Sequence, residues 1–75
     1  MTTITANIPA RTIGKVTLPA RVDTFARDAD GRWTKHDDVL GKIPVFEAEV
    51  IDVCELASNW RDIRAEHFPM HGFHP

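Results

Sequence analysis

The chain has 75 residues, enough for one small domain with a modest core, and its 43% hydrophobic and 27% charged residues are ordinary globular values that exclude disordered and fibrous classes. A formal charge of -2 counts against a dedicated DNA binder, which needs clustered basic charge, and is too weak for DNA mimicry. The single cysteine, Cys54, rules out an intrachain disulfide and a thiolate cage for zinc.

A lone cysteine fits a reducing compartment. Met1 is followed by TTITANIPA, which has neither a basic start nor the apolar run of a signal peptide, and no stretch approaches the ~20 apolar residues that cross a bilayer. The expectation is a soluble, cytoplasmic chain with no membrane partner.

In chain order, Thr2 to Ile8 is rich in β-branched residues and reads as a short first strand with Ile4 and Ile8 as its apolar positions. Pro9 ends it, and Ala10 to Gly14 reads as a connection. Val16, Leu18, Ala20, Val22, Thr24 and Ala26 then alternate with Lys15, Thr17, Pro19, Arg21, Asp23, Phe25 and Arg27, the period of two of a half-buried strand. Pro19 has no N–H for a ladder, so it must sit at a solvent-facing edge or bend the strand. Asp28-Ala29-Asp30-Gly31 reverses the chain. Asp28 can hydrogen-bond its own turn and Gly31 can take a left-handed conformation, which predicts a type I turn closed by a glycine bulge.

With Ala29 to Gly31 as the loop, Asp28 lies opposite Arg32, Arg27 opposite Trp33 and Phe25 opposite Lys35. One face of this hairpin carries Arg21, Phe25, Arg27, Trp33 and Lys35; the other carries Val22, Thr24, Ala26, Thr34 and His36. Val16, Leu18 and Val22 mark the second face as the core side, which leaves aromatic and basic groups mixed on the first. The candidate partner-binding set is therefore Arg21, Phe25, Arg27, Arg32, Trp33 and Lys35. A competing reading, with the greater weight of general burial behaviour behind it, places Trp33 and Phe25 in the core beneath the arginine stems.

Gly41 to Pro44 reads as a second turn. The next segment, Val45 to Leu56, fits two templates. A strand puts Phe46, Ala48, Val50, Cys54 and Leu56 on one face, whereas a helix puts Phe46, Val50, Val53, Cys54, Ala57 and Trp60 on one stripe. The β-branched Val45, Val50, Ile51 and Val53, and the need for a strand beside a lone hairpin, favour β. Ser58 or Asn59 then caps a helix in which Trp60, Ile63 and His67 recur at docking spacing, and Pro69 stops it. Residues 69–75 are expected to form a flexible tail. The fold expected over 1–75 is a single α+β domain, an antiparallel sheet of three to four strands with a hairpin at 28–31 and a short C-terminal helix.

Chemistry is sparsely signalled. His67, His71 and His74 lie close in sequence, but Pro69 interrupts the helix that would align the first two, so no metal site is expected. Asp28, Asp30, Asp37 and Asp38 resemble a calcium loop whose closing position is Val39 rather than Glu. Cys54 falls on the apolar face of either template and reads as an inert core thiol. There is no phosphate loop, GxSxG elbow or HExxH, so neither a catalytic residue nor a cofactor is assigned. The expected function is a non-catalytic protein-binding module: a small stoichiometric inhibitor or adaptor of a larger bacterial protein complex. Proteins of this kind are made by phages and other mobile elements, anti-CRISPR proteins among them, and the assignment rests on size and missing catalytic motifs. The alternative is a small nucleic-acid-binding module in which Phe25 or Trp33 stacks on bases. An exposed strand edge leaves a homodimer open.

Overall fold

The computed structural model describes residues 2–70 and shows an α+β domain of two sheets and two helices. Strand β1, Thr2–Ile8, buries Ile4, Ala6 and Ile8 on one side, as strict alternation requires. Strands β4 (Arg21–Arg27), β5 (Trp33–Asp37) and β6 (Gly41–Val45) join it in a four-stranded sheet of order β1-β4-β5-β6, antiparallel throughout. Between β1 and β4 the chain makes a separate two-stranded arm, β2 (Arg11–Ile13) and β3 (Val16–Leu18). The arm turns at Gly14-Lys15. Gly14 has φ 61° while Lys15 keeps a negative φ, the pattern of a type II′ turn.

The hairpin centred on Ala29 to Gly31 has the predicted register, with Arg27 opposite Trp33 and Phe25 opposite Lys35. Asp28 builds the turn. Its Oδ1 accepts from the N–H groups of Asp30 and Arg32, each at 2.9 Å, its own N–H donates to the Arg32 carbonyl at 3.0 Å, and Gly31 sits at φ 82°.

Several expectations fail, each for a physical reason; Ala10 to Gly14, expected as a connection, contains the strand Arg11–Ile13. The long alternating strand does not run through Pro19: it breaks at Pro19-Ala20, so Val16 and Leu18 belong to the arm and not to the sheet. Gly41 to Pro44 is strand rather than turn. The reversal comes earlier, where Asp37 Oδ1 accepts from the N–H groups of Val39 and Leu40, both at 2.8 Å, and Gly41 closes it at φ 79°. The segment after it is helical, not a strand: α1 spans Glu47–Cys54 and buries Val50 and Cys54, four residues apart. Glu47 and Glu49 lie in its first turn, where carboxylates favour the positive end of the helix dipole.

The second helix, α2, is Trp60–His67, beginning near the expected place and burying Ile63. Asn59 precedes it, yet its side chain does not cap the helix. It pairs instead with the outer edge of β1, donating from Nδ2 to the Thr5 carbonyl at 2.9 Å and accepting from the Asn7 N–H at 3.0 Å. Ser58 adds bonds from its N–H (2.8 Å) and hydroxyl (3.2 Å) to the Asn7 carbonyl. An amide side chain thus takes the place of another strand and blunts this edge. The opposite edge strand, β6, carries Pro44, which has no N–H to offer.

Both helices lie on the Ile4, Ala6 and Ile8 side of the sheet. The core joins those residues with Phe25 and Trp33 from the sheet, Val50 and Cys54 from α1, Ala57 between the helices, and Ile63 and Phe68 from the α2 region. No helix among the described residues is long and apolar enough to cross a membrane.

Candidate binding face

The aromatic and basic residues singled out in the sequence do not form a surface patch. Phe25 is 1% exposed and Trp33 3%, so both are core. The Trp33 ring lies 5.9 Å from that of Phe68, and its Nε1–H donates to Glu47 Oε2 at 3.2 Å, tying β5 to the start of α1. Arg27 lays its guanidinium 5.3 Å from the centre of the Trp33 ring, the covering role of a long cationic stem. Arg21 pairs with Asp23 at 3.2 Å. Lys35 is half-buried between Phe25 and Ile43, and Arg32 is exposed at the end of the hairpin loop. The aromatic surface is thus corrected to a covered core rim, the competing reading in which Phe25 and Trp33 are core beneath an arginine stem. Two bulky rings offer far more apolar area than Val22, Thr24 and Ala26, so burying them wins, and Val16 and Leu18 no longer argue for the other face. With both rings enclosed, they offer no platform on which bases could stack.

The face left bare is the other one. It carries Thr3, Thr5 and Asn7 from β1; Val22, Thr24 and Ala26 from β4; Thr34 and His36 from β5; and Lys42 and Pro44 from β6. None of these residues is acidic, in a chain with 11 acidic side chains. Val22 is 62% exposed, and a shallow depression of about 390 Å³ runs over Thr3, Thr24, Ala26, Thr34, His36 and Lys42. Threonine and valine are stiff at χ1, so the surface is already ordered and loses little side-chain entropy when covered. Hydroxyls at Thr3, Thr5, Thr24 and Thr34 both donate and accept, which suits a partner's polar groups of either kind.

Sequence reasoning missed this face although one signal was present. Ile4, Ala6 and Ile8 alternate with Thr3, Thr5 and Asn7, and pairing β1 with β4 puts Ile4 directly opposite Phe25 and Thr5 opposite Thr24. That register joins the phenylalanine to the isoleucine side.

The bare face carries the cross-strand pair His36 and Lys42, while Asp23 and Cys54 lie on the covered side. Asp23 is buried beside Cys54, and burial, with a smaller push from the Asp23 charge, raises the thiol to about 11. Cys54 is therefore a protonated core side chain at neutral pH. His36 stands 3.4 Å from Asp38 and His67 3.7 Å from Glu66. Among the described residues no group of three or more His, Cys, Asp or Glu is arranged to hold a metal ion; His71 and His74 lie outside the described residues. No protein-family model, curated protein or solved structure matches this chain.

Proposed function

We propose that this chain is a non-catalytic protein-binding module that docks a larger protein on the bare face of its sheet. The observation that carries the reading is one-sided coverage: both helices pack on the Phe25 side, while the Val22–Thr24–Ala26 side has no element packed over it and its strands place no Asp or Glu on it. A chain of 8.5 kDa with such a face suits stoichiometric inhibition or an adaptor role in a larger bacterial complex, in the manner of small phage and mobile-element proteins.

The test is co-purification from bacterial lysate, with and without nuclease, using the wild type beside Thr24→Arg and Ala26→Arg. Both substitutions put a long charged side chain on the bare face without touching the core. A stoichiometric protein retained by the wild type and lost at least tenfold by the variants supports the reading. Equal retention by the variants, or recovery that disappears with nuclease, refutes it.

A further inference from the structure

The arm formed by β2 and β3 has a different chemistry from the sheet. Ile13 and Val16 are cross-strand partners at its tip and are 58% and 59% exposed; Leu18, opposite Arg11 on the same face, is half-buried. A two-stranded ribbon is at best marginally stable in water, and this one leaves its best apolar pair uncovered by its own chain. Charge singles it out again. From Pro9 to Val22 the chain has Arg11, Lys15 and Arg21 and no acid, and Arg21 is already paired with Asp23. From Ile43 to Trp60 the pattern inverts: Glu47, Glu49, Asp52 and Glu55 occur with no Lys or Arg among them. Beside those acids Leu56 is 39% exposed, and Ile51 and Val53 are half-buried. One molecule therefore carries a basic apolar arm and, separately, an acidic helix with apolar flanks.

We propose that the arm docks on α1 of a second copy, and that a two-fold axis repeats the contact so that assembly closes as a dimer. Arm against arm would oppose like charges, whereas arm against α1 matches opposite charges around an apolar centre. The reciprocal arrangement follows from area. A single ribbon of this size covers much less than the ~800 Å² per partner of a stable interface, and the two-fold brings arm and helix from both chains into one contact. Because it uses neither Thr24 nor Ala26, this inference stands or falls separately from docking on the bare sheet face.

Sedimentation equilibrium of the full chain provides the test, with an arm variant (Arg11→Glu with Lys15→Glu) and a helix variant (Glu49→Lys with Asp52→Lys). At low salt the wild type should sediment at twice 8.5 kDa and weaken at least tenfold at moderate salt. Each charge variant alone should be a single chain. An equimolar mixture of the two should recover the double mass, because reversed arm meets reversed helix at one contact and wild-type arm meets wild-type helix at the other. Ile13→Ser with Val16→Ser, at exposed positions, removes the apolar centre and should also give single chains; circular dichroism confirms the fold of each. A wild type that remains a single chain at low salt overturns the proposal. So does a charge variant that still dimerises, a mixture that fails to associate, or association abolished by nuclease.

Discussion

Val22 and Phe25 sit three residues apart on β4, yet one is 62% exposed and the other 1%. Both are hydrophobic residues on a strand of the same sheet, so their own chemistry does not set the difference. What sets it is which side α1 and α2 cover, and that side is the one where Ile4, Phe25 and Trp33 together expose the most apolar area to be removed from water. The covered face holds the fold together. The bare face, made of stiff small side chains, costs little to leave open and little to cover again with a partner.

The contrast breaks most sharply at Trp33. Trp33→Ala removes a core ring, its contact with Phe68 and its hydrogen bond to Glu47, and should destabilise by ~3–5 kcal/mol in urea unfolding followed by circular dichroism. A domain of this size has only about 5–15 kcal/mol in all, so much of the variant should be unfolded at 37 °C. A folded Trp33→Ala with unchanged midpoint would return Trp33 to the surface.

Asn59 comes next, because it guards the border between the two faces. Asn59→Ala uncovers the Thr5 carbonyl and the Asn7 N–H, which water then solvates, so the loss should be ~1 kcal/mol. Freed peptide groups on an edge strand also invite pairing between chains, and light scattering of concentrated samples should rise. An Asn59→Ala protein of full stability and unchanged scattering would mean that the edge is guarded by Ser58 alone.

A smaller effect is expected at the β5–β6 turn. The N–H groups of Leu40 and Val39 bond to the Asp37 carboxylate and hold its pKa below the ordinary value. Folded below unfolded means that the turn's contribution is present above the unfolded value and is lost as pH falls through the folded one. An NMR titration of the Asp37 carboxyl should show its midpoint below that of a peptide carrying the same residues. A midpoint at or above the peptide's would contradict the turn geometry. The smallest effect belongs to the bare face: Thr24→Lys should change stability by less than ~0.5 kcal/mol.

The two Asp-to-Gly turns show how far the sequence could be read. Asp28 to Gly31 interrupts a clear alternation, so the turn and even its register were legible. Asp37 to Gly41 uses the same device, an aspartate accepting two backbone N–H groups and a glycine at positive φ, but Val39 and Leu40 at its tip look like strand residues. That apolar pair, 89% and 74% exposed, displaced the expected turn onto the glycine and the residues after it. The helix α1 was hidden by its β-branched Val50, Ile51 and Val53, whose local preference yields to the packing of Val50 and Cys54 on the sheet. The binding face was misread because alternation names two faces without saying which is covered. Val16 and Leu18 tipped the choice from beyond Pro19, where the strand had already ended.

The most direct test of one-sided coverage compares Phe25→Ala with Val22→Ala by urea unfolding under identical conditions. Phe25→Ala should lose ~3–5 kcal/mol, while Val22→Ala should stay within ~0.5 kcal/mol of the wild type. Equal losses, or a larger loss at Val22, would mean that the helices cover the other face and that the surface assigned to the partner is the core.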